Sequence, residues 1–283
     1  MDDADEFRYR LPRRAGGQRG GAHRGTPAGS GLEFLAHRRL FDHPDPRRLD
    51  LRASLGDLHG DWLVRVNRLR AAATVQVLVD VSASMGFGVR AKLDVVAEFV
   101  ESLGRSAFRV GDALGLVAFD ADVREDLQVA ARHGRGAGAE MAGRLRACAG
   151  GAGSGAGLRE AALRIGRRAD LVFVASDFLW PLEGLGETLA LLAPAHVVPL
   201  IVVDPAELEA PAGDGLALLR DAETARRRAL WLRPASRARW REAVLARRAR
   251  LDAIFAARGL RPFTLLGGFD AAALSSHLLE EAA

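Results

Sequence analysis

The residues of this sequence best suited to chemistry are Asp80, Ser82 and Ser84, in the stretch VLVDVSASMGFG over 77–88. An apolar run ends on the aspartate, and oxygen-bearing side chains follow at alternate positions. Where a chain leaves a strand still extended, alternate side chains point the same way, so the carboxylate and the two hydroxyls can converge. These are hard oxygen ligands, suited to Mg²⁺ or Mn²⁺ rather than zinc. Magnesium is octahedral and usually keeps waters, so three such side chains supply only part of its shell. A second acidic loop should complete it, and LVFVASDFLW over 171–180 offers one, an apolar run ending in Ser176-Asp177. Two parallel strands ending side by side would bring Asp80 and Asp177 to one ion. Without a cation the two carboxylates would repel each other. The competing reading is local: Ser84 can cap a helix beginning near Gly86, and Asp177 the helix after it.

Positioning those residues requires a sheet. From residue 74 strand and helix patterns alternate: TVQVLVDV is a continuous apolar run, as in a strand covered on both faces, and AKLDVVAEFVESL carries Leu93, Val96, Ala97 and Val100 at helical spacing. ALGLVAF and DLQVAA follow as strands, 138–149 as a helix, AGGAGSGAG as a glycine-rich turn and LREAALRIGRR as a helix. LVFVASD and HVVPLIVVD read as strands around the helix LEGLGETLALLA. Then come a hairpin over 216–232, a long basic helix from Pro234 to about Arg258, a strand RPFTLL and a last helix. This order predicts a three-layer, Rossmann-like α/β fold with a mainly parallel central sheet. In such sheets ligands sit beyond the carboxyl ends of the strands, where Asp80 and Asp177 fall. The domain division expected is an Arg/Gly-rich arm and lead-in over 1–73 and one α/β domain over 74–283.

Composition narrows the function classes. The chain has 283 residues, 49% of them hydrophobic and 27% charged, with a net charge of only +4. Among 40 basic residues Lys92 is the sole lysine, so arginine, charged at any accessible pH, lifts the pI to about 10.3. Cys148 is the only cysteine, which excludes an internal disulfide and a cysteine metal cluster. The acidic start MDDADEFRYR has no apolar core of a signal peptide, and no apolar run is long enough to span a bilayer, so a soluble cytoplasmic protein is expected. Lys92 follows Ala91, so there is no G-K-[ST] phosphate loop, and no G-x-S-x-G or H-E-x-x-H occurs. An aspartyl-phosphate enzyme would want a second Asp where Ser82 stands. His23, His37, His43 and His59 read as loop residues without ligand partners. A non-enzyme is therefore expected. Asp120 and Asp122 read as a turn, and Asp45, Arg47, Arg48 and Asp50 as a structural charge knot.

D-x-S-x-S after a core strand, with a later S-D after another, resembles the metal-ion-dependent adhesion site of von Willebrand factor A domains, over about residues 74–205. There a third loop supplies a hydroxyl before an A-L helix; here GGAGSGAGLREAAL stands in that place. Ser154 is the nearest hydroxyl, and strict alignment puts Gly157 at the usual threonine position. Upstream, GSGLEF at 29–34 and HPDPRRLDLRASL at 43–55, with the hairpin DAETARRRALWL at 221–232, resemble the bacterial family called domain of unknown function 58. The combination also resembles that family's short soluble member of methanol-oxidation gene clusters.

The resemblance implies Mg²⁺, or Mn²⁺ or Ca²⁺, held by Asp80, Ser82, Ser84, Asp177 and Ser154, with a partner's acidic side chain at an open coordination position. It also implies a cytoplasmic, non-catalytic adaptor acting with a MoxR-type AAA+ ATPase in maturation or metal insertion of a client complex, with methanol dehydrogenase as the client. The alternative is a metal-free scaffold or an RNA-binding protein that uses the arginine-rich arm and the long helix SRARWREAVLARRARLDAIFAAR. In that helix Trp240, Val244, Arg247 or Arg248, Leu251, Ile254 and Phe255 form one stripe, more consistent with docking on the core than with a nucleic-acid face.

Overall fold

The computed structural model describes residues 6–12, 20–29, 33–88, 90–148, 155–211, 213–220 and 227–281. The chain divides into two compact units, Arg13–Ala73 and a larger one made of Met1–Pro12 with Thr74–Ala283.

In the smaller unit β1 (Gly20–Gly29), β2 (Glu33–Arg39) and β3 (Leu63–Ala71) form an antiparallel sheet in the order β1-β3-β2, with α1 (Leu51–Leu55) between β2 and β3. The glycine- and arginine-rich stretch expected as an extended arm thus contains a paired strand: backbone hydrogen bonds to β3 supply what its composition cannot. His23 and His37 lie on β1 and β2, not in loops. In β3, Val64 and Val66 are buried while Arg65 between them is exposed, the alternation of a half-buried strand. The charge knot resolves into two separate groups of contacts, one around Asp45 and one around Asp50. Asp45 pairs with Arg48 at 3.0 Å. Asp50 instead caps α1 through Ala53 N–H at 3.1 Å and pairs with Arg65 Nε at 2.6 Å and His37 Nε2 at 3.0 Å.

The larger unit begins with residues 6–12, which the expected division had assigned to the arm. Phe7 stacks on Phe99 at 5.9 Å and meets Phe269 edge-on at 6.0 Å. Tyr9, the only tyrosine, donates its hydroxyl to Asp112 at 2.6 Å. Two aromatic rings at alternate positions need an apolar cover that an isolated arm lacks, and the core provides it.

The rest follows the expected alternation closely: β4 (Thr74–Asp80), α2 (Lys92–Val110), β5 (Ala113–Phe119), β6 (Val123–Arg132), α3 (Ala137–Ala147), α4 (Leu158–Ile165), β7 (Leu171–Ser176), α5 (Leu185–Leu191), β8 (His196–Val203), α6 (Pro205–Leu208), the hairpin β9 (Gly215–Arg220) and β10 (Arg227–Leu232), α7 (Pro234–Ala256), β11 (Phe263–Leu266) and α8 (Ala271–Glu281). Six strands make one sheet in the order β11-β8-β7-β4-β5-β6, parallel except for the β5–β6 edge pair. Val75, Val77 and Val79 of β4 pack with α2, α3 and α8 on one face, and Leu78 with α4, α5 and α7 on the other. That double cover explains why the central strands are apolar throughout rather than alternating. The stripe foreseen on α7 is the docked one, with Leu251 and Phe255 buried in the second core.

Candidate functional site at the carboxyl edge of the sheet

β4 lies between β5 and β7, so strand order reverses there, and the parallel pairing sets Val79 beside Ala175. The residues after β4 and β7 therefore leave the sheet side by side, at the switch point where α/β folds place their ligands. Asp80, at the end of β4, is completely buried. Its carboxylate accepts from Ser82 N–H at 2.9 Å, Ser176 Oγ at 2.5 Å and Trp180 Nε1 at 2.8 Å. The hydroxyls of Ser82 and Ser84 lie 3.3 Å apart, both buried. Burial first, and the nearby Asp177 carboxylate second, push the Asp80 pKa up; hydrogen bonds from Ser176 and Ser82 oppose them.

The capping alternatives do not apply. Ser84 sits in a single 3₁₀ turn over Ala83–Gly86, and α2 begins only at Lys92, after Ala91. Asp177 Oδ1 accepts from Leu179 N–H at 3.0 Å, a local turn, while α5 starts well beyond it, after Gly184. Asp120 and Asp122 also make a turn, through Asp122 N–H to Asp120 Oδ1 at 3.2 Å.

The third loop departs from the pattern for a steric reason. Ser154 lies outside the described residues. At Gly157, the threonine position by alignment, a Cβ would come within 2.6 Å of the Asp122 backbone. At Gly155 it would lie 2.2 Å from the indole nitrogen of Trp180. Both glycines are there because the Asp122 backbone and the Trp180 ring pack directly on them.

Asp177 has a partner that the motif does not foresee. Its Oδ2 receives Lys92 Nζ at 2.6 Å, and the same ammonium reaches Glu207 Oε1 of α6 at 2.6 Å and lies 5.9 Å from the centre of the Phe87 ring. Sequence reasoning used Lys92 only to dismiss a phosphate loop, yet two signals marked it. It is the single lysine among 40 basic residues, and it opens α2, where the helix dipole disfavours a cation. Arg247 of α7 was placed on the docking stripe without a role. Its Nε donates to the Phe178 carbonyl at 3.0 Å, and its Nη2 to the carbonyls of Phe178 and of Trp180, the latter at 2.5 Å. Phe178 is the one non-glycine among the described residues with positive φ, at 51°.

A divalent ion fits the donor chemistry of Asp80, Ser82 and Ser84, buried hard-oxygen side chains that follow one another at the same strand end. Asp177 stands at the same edge with one oxygen already taken by an ammonium. Among the described residues no three His, Cys, Asp or Glu side chains gather as a metal centre, so an ion here would rest on hydroxyls and at most two carboxylates.

A six-stranded, doubly covered sheet whose central strand ends in D-x-S-x-S at the switch point defines a von Willebrand factor A-like domain. The chain belongs to the family described as "Protein of unknown function DUF58", whose match spans residues 45–250. No curated protein matches the sequence. Among solved structures, the conserved hypothetical protein BatB from Bacteroides thetaiotaomicron is 15% identical, with 75% of this chain and 98% of that chain covered at a TM-score of 0.48. A von Willebrand factor type A protein from Catenulispora acidiphila is 12% identical, with 77% and 43% covered at a TM-score of 0.39. The proximal thread matrix protein 1 of the mussel byssus, with a zinc-occupied MIDAS motif, is 16% identical, with 46% and 38% covered at a TM-score of 0.35. No helix among the described residues is long and apolar enough to cross a membrane.

Proposed function

We propose that this chain is a non-catalytic, cytoplasmic interaction adaptor whose working surface is the carboxyl rim of the sheet. It acts with a MoxR-type AAA+ ATPase in maturing or loading a client complex, methanol dehydrogenase being the client that the sequence resemblance favours. Membership of a von Willebrand factor A-like family supports a protein-interaction role. The observation that carries the reading is the convergence of Asp80, Ser82 and Ser84 at the switch point. Bound there, Mg²⁺, Mn²⁺ or Ca²⁺ would supply an open coordination position for a partner's carboxylate. The chain's own groups suit binding rather than turnover. The Asp80 carboxylate is held in place by three donors, and the Ser82 and Ser84 hydroxyls lie 3.3 Å apart.

The test is capture of the ATPase by the full chain, with Mg²⁺ and with EDTA, for wild type and Asp80→Ala. The expected result is a loss of tenfold or more in affinity from either change. Capture that survives both would overturn the metal-bearing form of the reading, and absence of any capture would overturn the ATPase partnership.

A further inference from the structure

We propose that Lys92 is the built-in counter-ion of this rim. Its ammonium neutralises Asp177 and ties it to Glu207, so the free chain keeps the rim folded without a divalent cation, and a cation bound there adds much more to stability once Lys92 is removed. The proposal rests on the metal-bearing reading only in its choice of probe.

Three independent observations converge on this residue. The first is compositional. A chain that otherwise uses arginine for every basic position keeps one lysine, at a place where Nζ must sit 2.6 Å from each of two carboxylates. A compact ammonium with rotatable donors fits that gap, whereas a planar guanidinium fork needs more room. The second is positional. Lys92 is the first residue of α2, the wrong end of a helix for a cation, and its side chain is only 2% exposed. Burying a charge there is tolerable only if it is paired, and the pairing comes from outside the helix. The third is topological. Lys92 follows β4, Asp177 follows β7, and Glu207 lies in α6 after β8, so one ammonium joins three neighbouring strand ends. Glu207 is itself fastened, its Oε2 accepting from Asp204 N–H at 3.1 Å in the α6 capping box.

A cation is called for at this place because the Asp177 side chain is only 1% exposed and its Oδ2 meets the Lys92 ammonium at 2.6 Å, at the rim that Asp80 also occupies. In a motif of this kind the ion neutralises such a carboxylate. Here the lysine already does so for Asp177, leaving Asp80 to be satisfied by Ser176, Trp180 and the Ser82 amide.

Thermal unfolding of the full chain tests the proposal, for wild type, Lys92→Met and the double variant Lys92→Met/Asp177→Asn. Each is dialysed against EDTA and then given Mg²⁺, Mn²⁺ or Ca²⁺. An ion that binds only the folded state raises the melting temperature. Wild type is expected to rise with an ion by less than half as much as Lys92→Met. Lys92→Met, with a buried carboxylate left unpaired, should melt on the order of 10 °C lower in EDTA and recover at least half of that loss with an ion. The double variant should melt above Lys92→Met in EDTA and respond to the ions no more than wild type, since the carboxylate that Lys92 neutralised is gone and Glu207 is 20% exposed and reaches water. An ion response in wild type as large as in Lys92→Met would overturn the proposal, as would no response in either. If Lys92→Met does not fold, the double variant decides: a folded protein with an ion response no larger than that of wild type supports the counter-ion role, and a second unfolded one overturns it. Failure of the adaptor reading shows separately, as absence of partner capture, and failure of its metal-bearing form as capture indifferent to EDTA.

Discussion

Asp50 illustrates what single residues contribute. It caps α1 and pairs with Arg65 and His37. The Ala53 amide, followed by Arg65 and His37, holds its pKa well below the usual carboxylate range. A depressed folded pKa means that this stabilisation is complete above the unfolded value of about 4 and is lost as pH falls through the lower folded value. The smaller unit should therefore weaken progressively below about pH 4, and Asp50→Asn should flatten that part of the curve. Circular dichroism unfolding against pH, comparing the two proteins, checks it. Asp50 was legible in the sequence as a structural charge, but its partners were not. Arg47 and Arg48 are nearer along the chain, yet Arg65 and His37 are brought to it by strands β3 and β2.

At the scale of elements, α7 and the loop after β7 form one mechanical piece. Arg247 holds the carbonyls of Phe178 and Trp180, Phe255 packs edge-on against Phe178 at 5.6 Å, and Trp180 reaches Asp80. The helix thereby stabilises a loop whose Phe178 has a left-handed backbone, a conformation that costs free energy unless its surroundings enforce it. Arg247→Met keeps much of the apolar stem but leaves two carbonyls without their donor. It should cost about 1–3 kcal/mol and speed amide exchange at 177–180, with the β4 amides unchanged; exchange mass spectrometry reads both. The arginines of this helix are also largely engaged within the chain. Arg237 pairs with Asp214, Arg248 with Asp252 and Arg250 with Glu183, which favours docking over nucleic-acid contact for this element.

At the scale of the whole molecule, the larger unit is assembled from two distant parts of the chain. Phe7 is almost wholly buried against residues from α2 and from the loop before α8, and the Phe7 amide donates to Ser106 at 3.1 Å. Phe7→Ala should lower stability by about 3–5 kcal/mol and bring down the denaturation midpoint in guanidinium. A midpoint shift equivalent to less than about 1 kcal/mol would show that residues 6–12 lie on the core without supporting it.

The alternation of strands and helices, the apolar central strands and the placement of Asp80, Ser82, Ser84 and Asp177 at strand ends were all legible in the sequence. They depend on short-range periodicity, which a linear reading detects directly. The strand β3 was not read in the sequence, because Val64 and Val66 alternate with arginine and further arginines follow them. What only the tertiary structure decided is who meets whom across the rim. The Lys92 ammonium lies between Asp177 and Glu207, Trp180 covers Asp80, and Gly157 yields its space to the Asp122 backbone. These contacts join residues 35 to 115 positions apart. Local pattern carries no information on such pairings; they follow from the order in which the sheet sets its strands side by side.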